Sequence, residues 1–406
     1  MNTIISINKQ KELRRSITSA VRKAINEYEG AVSDEKARGI ITNILLADVR
    51  AGVLSLRELR QIADSIFYTV RCELGVLTPL MEDNEITEIM VNGAGSIYVE
   101  RGGHMENSSL TFDSAEELEE VIRRIAAGGH REINEMIPIL DARLENGDRV
   151  NAVYKNVALG GPSLSIRKFP KTALTMERLI EFGSITQEAA EFLKKVVAAG
   201  YNCFISGGTS SGKTTFLNIL SEYIPKEERI VVIEDSAELK LIGAENIVRL
   251  ECRSANVHGK GEVNMESLIR TSLRMRPDRI IIGEVRGGEC AEMLQAMNTG
   301  HSGMSTGHAN SIEGMLRRLE AMYLQKAAFP IEAIREQIAQ GIDIIVHLGR
   351  IAQKGRKVLE IAEIQGLNNN KFIINSIFNY KFDQGLIATG NKIVNTDKLK
   401  FAGIEI

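Results

Sequence analysis

Gly207-Gly208-Thr209-Ser210-Ser211-Gly212-Lys213-Thr214 is a glycine, four residues, a second glycine, then lysine and threonine. That pattern suits a polyphosphate ester. Such a ligand needs several donors at once and no bulky side chain in the way. Glycines let the backbone curl so that successive N–H groups point inward. Lys213 would add a point charge at the outer phosphates. Thr214 would offer a hydroxyl to Mg²⁺, with Thr215 beside it. Asn202 to Ser206 reads as a short buried strand, and Phe216, Leu217 and Leu220 follow at helical spacing. Strand, glycine loop and helix together put phosphate on a helix N-terminus. The bland alternative is a plain glycine turn.

Four further groups could act on such a ligand. Arg279 to Ile282 form an apolar run that reaches Gly283-Glu284. A carboxylate at a strand end could polarise an attacking water, or order Mg²⁺ through water. Ile233-Glu234-Asp235 ends a second such run, with Glu238 behind it. Carboxylates beside a triphosphate repel it unless they hold a cation or a water. His301 and His308 lie seven residues apart, which does not match a helical metal-ligating pair, and no third zinc ligand of suitable spacing follows. They read better as hydrogen-bonding sensors of the terminal phosphate. Arg143, Arg149 and Arg167 come from an earlier segment and could fork onto phosphate oxygens. The competing readings are a surface acid, an exposed acidic turn, satisfied buried histidines and ordinary surface ion pairs.

These residues need elements to hold them. A chain of 406 residues allows two or three domains, and 44% hydrophobic residues can fill their cores. The first 75 residues read as a helical bundle. Leu13, Ile17, Val21 and Ile25 mark one face, Ile40, Ile41, Ile44 and Leu45 a second, and Leu59, Ile62, Ile66 and Val70 a third, with Gly30 and Gly52 near the breaks. Lys9, Lys11, Arg14, Arg15, Arg22 and Lys23 on the first helix read as a solvated face, with an acidic partner or lipid headgroups as the alternative. Residues 76–166 read as an α+β domain, with strands at 86–91, 97–100, 110–112, 150–153 and 163–166 and a helix at 116–127. A linker follows at 167–176.

From 177 to 406 the pattern is α/β. Strands are expected at 203–206, 230–233, 279–283, 303–307 and 342–348. Helices are expected at 187–199, 213–224, 264–275, 289–298, 311–325 and 331–340. Alternation of this kind predicts a mainly parallel sheet covered on both faces. Cys72, Cys203, Cys252 and Cys290 are far apart and contain no Cys-x-x-Cys pair, so they read as reduced, buried thiols in a cytoplasmic protein. No apolar run approaches 18 residues, and Met1 to Arg15 does not read as a signal peptide. A net charge of -3 is ordinary for a soluble chain and leaves room only for a local basic groove.

Taken together, these motifs resemble the secretion and pilus ATPase superfamily. The resemblance rests on the loop at 207–215, on Ile-Glu-Asp-Ser-Ala-Glu-Leu at 233–239, on 273–287, and on the histidine box from Thr299 to Asn310. It also rests on 88–93, 98–101, 141–152 and 164–169 of the middle segment. The set is most similar to the tight-adherence (Flp) pilus branch. It implies a RecA-like nucleotide domain preceded by a PAS-like α+β domain, and ATP and Mg²⁺ as ligands. It further implies a homo-hexamer that pushes on an inner-membrane platform protein from the cytoplasmic face. It makes Lys213 and Thr214 nucleotide and Mg²⁺ contacts and Glu284 the catalytic carboxylate. It strengthens Arg149 and Arg167 as phosphate contacts, and it makes Arg286 a coupling residue of the Glu284 box. The four-cysteine zinc module of the general secretion branch is missing from this sequence. Two departures stand out. Gly307 occupies a place where the family has a β-branched residue, which would loosen the strand carrying His308. The tail from Gly366 matches the family less well, and its role is open.

Three readings compete. A mechanochemical ATPase would move its domains with the nucleotide state. A nucleic-acid translocase on the same core would need a basic, aromatic-lined channel, whereas the chain has no Trp and 5% aromatics; a conjugation or type IV secretion ATPase is the other alternative on that core. A non-hydrolysing, ATP-gated scaffold would leave Glu284 idle.

Overall fold

The computed structural model describes residues 2–28, 30–129, 131–169, 174–241, 243–253, 255, 260–326 and 328–405, with side chains from residue 12 onward. They fall into two compact units, Met1–Ala173 and Leu174–Ile406.

The first unit opens with three helices, α1 (Asn2–Asn26), α2 (Asp34–Ala47) and α3 (Leu56–Arg71). Ser33 caps α2, and Ser55 with Glu58 forms a capping box on α3, so each start satisfies its own orphan N–H groups. Leu13, Ile17, Val21, Ile41, Leu45 and Ile66 close one small core. After the short α4 (Thr78–Glu82) come β1 (Ile86–Asn92), β2 (Ile97–Arg101), β3 (His104–Asn107), α5 (Ala115–Gly128), β4 (Ile139–Arg143), β5 (Arg149–Val153) and β6 (Ser163–Arg167). They build a sheet of order β3-β2-β1-β6-β5-β4 over a second core that includes Leu118, Val121, Ile122 and Ile125 of α5.

Two expectations for this unit change. The third strand is not 110–112 but 104–107. Gly102 and Gly103 both have positive φ, 56° and 83°, so the chain reverses in two residues and pairs at once. Phe112 instead plugs the core. The basic face of α1 is not simply solvated. Arg14 is nearly buried; its Nε donates to Asp113 at 2.7 Å, and its other nitrogens reach Ser65 Oγ at 3.0 Å and the Thr111 carbonyl at 3.2 Å. Arg22 meets Glu120 at 3.3 Å. The helices are therefore tied to the α+β layer. The side chains of Lys9 and Lys11 lie outside the described residues, as do residues 170–173 of the expected linker.

The second unit runs α6 (Met176–Glu181), α7 (Gln187–Ala198), β7 (Cys203–Gly207), α8 (Lys213–Ser221), β8 (Ile230–Glu234), β9 (Ile247–Glu251), α9 (Met265–Ser272), β10 (Arg279–Ile282), α10 (Cys290–Asn298), β11 (Ser302–His308), α11 (Ile312–Lys326), α12 (Ile331–Gly341), β12 (Ile344–Ile351), β13 (Gly355–Asn368), β14 (Lys371–Lys381), β15 (Gly385–Ala388) and α13 (Asp397–Phe401). Nine strands form one sheet of order β15-β14-β13-β12-β7-β11-β10-β8-β9. From β12 to β9 every neighbour is parallel, and β13 to β15 add on antiparallel. The central strands are buried on both faces, which is why they read as unbroken apolar runs. Ile205 and Val232 face α7 and α8, while Phe204 and Ile233 face α10 and α11.

The tail is part of this fold. Ile377, Phe378, Leu386, Ile393 and Leu399 enter the same core as α7 and β7. Buried Glu363 accepts from the Asn375 amide (3.0 Å) and from the N–H groups of Asn395 (2.7 Å) and Val394 (3.1 Å); against the upward push of burial, these bonds, the Asn375 amide first, hold its pKa down.

Candidate functional site

Ligand crevices in parallel sheets lie beyond the C-terminal strand ends. Here β7 is flanked by β11 and β12 on either side, with β10 and β8 next beyond β11. Their C-terminal ends deliver, in order, Gly207, His308, Gly283-Glu284 and Glu234.

The loop has the shape that its sequence predicts. Gly207 is forced: a Cβ there would lie 2.6 Å from the Leu348 carbonyl and 2.5 Å from Ser211 Oγ. Gly212 has φ 94° and is the N-cap of α8 without any side-chain cap. The first N–H groups of α8 are thus open to an anion. Ser211 Oγ is buried with no hydrogen-bond partner among the described residues. An uncapped helix start and an orphaned hydroxyl in one loop suit phosphate. Thr214 and Thr215 occupy the first turn of α8, and Thr209 and Ser210 form the exposed crest.

Lys213 is buried and folds back over the loop. Its Nζ donates to the Gly208 carbonyl at 3.0 Å and lies 3.2 Å from His308 Nδ1. An ammonium only donates, so Nδ1 must accept, and the ring proton belongs on Nε2. Burial, with the Lys213 charge second, holds the His308 pKa below its ordinary value, so the ring is neutral. Burial also lowers the pKa of Lys213, opposed by Glu284.

His308 Nε2 lies 3.0 Å from Glu284 Oε1, and Glu284 Oε2 accepts from Arg286 at 3.0 Å. Oε1 is buried, and no donor among the described residues is aligned on it. A carboxylate oxygen in that state suits a water, or a water held by Mg²⁺. Arg286 also lies 3.6 Å from exposed Asp235, and its hydrogen bond to Glu284 raises its pKa. Lys213, His308, Glu284, Arg286 and Asp235 therefore make a continuous chain from the loop to the end of β8.

Two expected site residues are placed differently. Glu234 is buried, and its Oε1 accepts the N–H groups of Glu238 (2.7 Å) and Leu239 (2.9 Å). It folds the turn after β8, and burial raises its pKa. His301 precedes β11, whereas His308 ends it. Seven residues of strand separate them by ~20 Å. His301 thus lies beyond the N-terminal end of the strand, away from the loop, with its Nδ1 near the Ala296 carbonyl at 3.3 Å. Gly307 does not loosen its strand. Its missing side chain leaves room for Met315 and Phe204, which a Cβ would meet at 2.9 and 3.0 Å.

In the first unit, Arg143, Arg149 and Arg167 are direct cross-strand partners on β4, β5 and β6. Like charges side by side on a sheet repel unless other groups offset them. The spacing in sequence did not reveal this row. Sequence reading also missed His347, whose Nδ1 lies 3.2 Å from Ser206 Oγ just before the loop. Burial lowers its pKa. Arg356 was missed as well; its Nε donates to the Ser210 carbonyl at 2.8 Å.

A mainly parallel α/β sheet with this loop and this carboxylate defines a phosphate-loop nucleotide-binding protein. The model of the type II/IV secretion system protein family matches residues 71–377, and the chain belongs to that family. An uncharacterised protein of Methanocaldococcus jannaschii is 36% identical over 306 residues, covering 72% of this chain and 42% of the relative. The chain thus matches less than half the length of that relative. The conjugal transfer protein TrbB of Rhizobium radiobacter is 33% identical, covering 72% of this chain and 88% of its own. The type IV secretion system protein PtlH of Bordetella pertussis is 35% identical, covering 74% and 96%. The solved ATPase DotB of Legionella pneumophila shares the fold at TM-score 0.52 and 19% identity, covering 71% of this chain and 79% of its own. No described helix is long and apolar enough to cross a membrane.

Proposed function

We propose that this chain is an ATP-hydrolysing motor with a RecA-like core. In this reading it works as a homo-hexamer at the inner face of the cytoplasmic membrane. It drives assembly or secretion by a tight-adherence (Flp) pilus through a membrane platform protein. The observation that carries the proposal is the contact chain Gly208–Lys213–His308–Glu284, which links the phosphate loop to a carboxylate with an unaligned, buried oxygen.

On this reading Lys213 leaves the Gly208 carbonyl for the terminal phosphates of ATP. The N–H groups of α8 hold the inner ones. Thr214, with Glu284 through water, would hold Mg²⁺, which neutralises developing charge on the phosphates when bound. Glu284 takes the proton of the attacking water. Neutral His308 keeps Nε2–H toward Glu284 and Nδ1 toward Lys213, so it registers whether the lysine has moved. Arg149 and Arg167 supply guanidinium groups to the phosphates.

A second reading, a conjugation or type IV secretion ATPase on the same core, is favoured by the likeness to TrbB and PtlH. Both readings require Mg²⁺-dependent ATP turnover that Lys213→Ala and Glu284→Gln abolish. Deleting the gene and scoring surface pili against conjugal transfer separates them.

A further inference from the structure

The phosphate loop is braced by the neighbouring strand β12 and by the first strand of the antiparallel extension. The Leu348 carbonyl of β12 closes on Gly207, and Arg356 at the start of β13 reaches the loop crest. The Arg356 Cδ also packs over Gly212, 3.4 Å from where a Cβ would stand. Between these contacts lies Ser210, held at φ 57°. A serine in that left-handed region needs outside support. The carbonyl bond from Arg356 supplies it.

The charge pattern of this hairpin is one-sided. Arg350, Lys354, Arg356 and Lys357 fall within eight residues that contain no Asp or Glu. Lys354 and Lys357 are spent on backbone carbonyls, the first on Phe382 at 2.6 Å, the second on Phe182 at 2.8 Å and Gly183 at 2.7 Å. Arg350 and Arg356 are direct partners across β12 and β13. Neither has an acidic partner among the described residues. Two guanidinium groups thus face each other, with Arg356 against the positive N-terminus of α8 and Lys213 following Gly212. Each of these pairings is unfavourable alone. An anion at the loop would offset all three with attractive interactions of its own.

We propose that Arg356 is a positioning residue for the polyphosphate. It sets the crest of the loop through Ser210 and adds a fixed charge, so the antiparallel extension of the sheet tunes nucleotide affinity. This rests on the reading of the loop as an ATP site.

The test is titration of the full chain with ADP and with ATP plus Mg²⁺, for the parent, Arg356→Ala, Arg356→Lys and Lys213→Ala, alongside steady-state turnover and melting without ligand. Losing one charge-assisted bond predicts a loss of affinity of about tenfold or more in Arg356→Ala. KM should rise by a similar factor, with kcat within about threefold and a ligand-free melting temperature lowered by no more than a few degrees. Arg356→Lys should recover only part of the affinity, because an ammonium lacks the side-on Nε. If Lys213→Ala loses binding and Arg356→Ala does not, the role given to Arg356 is wrong. A fall in kcat at unchanged KM, or full recovery by lysine, overturns it equally. If the parent and Lys213→Ala bind alike, the loop is not a nucleotide site and the underlying reading falls first.

Discussion

His308 Nε2 stands 3.0 Å from Glu284 Oε1, at the ends of neighbouring strands that are paired in parallel register. The other ring nitrogen is already turned to Lys213. One imidazole thus connects the residue that would bind the phosphates with the residue that would activate water.

His308→Ala should therefore uncouple the two. Nucleotide affinity should stay within about threefold, while turnover falls by about 10- to 100-fold, at the low end of the usual worth of a positioned acid–base partner. Equilibrium binding and steady-state turnover on the same preparation check this. A parallel loss in both would mean that His308 only shapes the loop.

Arg149 and Arg167 are in register on adjacent strands. If both serve the phosphates, Arg149→Ala and Arg167→Ala should each cost turnover far more than folding. Arginines of this kind contribute about 10³ to 10⁵ in rate elsewhere in phosphoryl transfer. Single-turnover hydrolysis, with circular dichroism to confirm the fold, is the measurement. Turnover within twofold of the parent in both variants would remove them from the site.

Gly307→Val should destabilise the second unit by about 1 to 3 kcal/mol, the usual cost of overpacking. Met315 and Phe204 already occupy the space. Thermal unfolding should show a drop of several degrees. A rise would mean that the β-branched residue typical of the family fits after all.

The phosphate loop, Glu284 and the strands β7, β8 and β10 were legible in the sequence because each depends on local pattern: an apolar run buried on both faces, then a glycine or a carboxylate. The third strand of the first sheet was misread because Leu110 and Phe112 alternate like a strand, whereas His104–Asn107 is exposed along its whole length and pairs only through its turn. Glu234 carried the right residue type, but its oxygen is taken by two backbone N–H groups that no spacing rule reveals. The tail lacked a match to known motifs, yet its apolar positions are core. The bracing by Arg356 and Leu348 depends on strand order, which places distant segments beside the loop.

Burial holds the pKa values of His308 and His347 below the ordinary 6.5. On acidification the unfolded chain takes up their protons first, near pH 6.5, while the folded chain does not. Their contribution to stability is therefore complete above that pH and is lost as pH falls toward the folded values, by up to about 1.4 kcal/mol per pH unit for each group. Glu234, raised by burial, acts in the opposite sense. Comparing the parent with His347→Gln isolates one group. Denaturant midpoints between pH 7.5 and 5.5 should fall less steeply in the variant, and equal slopes would show that folded His347 takes up its proton as readily as the unfolded chain does.

In the proposed mechanism Glu284 activates water for hydrolysis in an assembled ring. Mg²⁺-dependent ATP turnover per subunit, measured across protein concentration for the parent and Glu284→Gln with the mass of the assembly followed in parallel, is the decisive measurement. Turnover should rise with concentration as the ring forms, and the variant should lose it with nucleotide binding kept. Turnover that survives in Glu284→Gln, or that is the same in single subunits as in the ring, would contradict this mechanism.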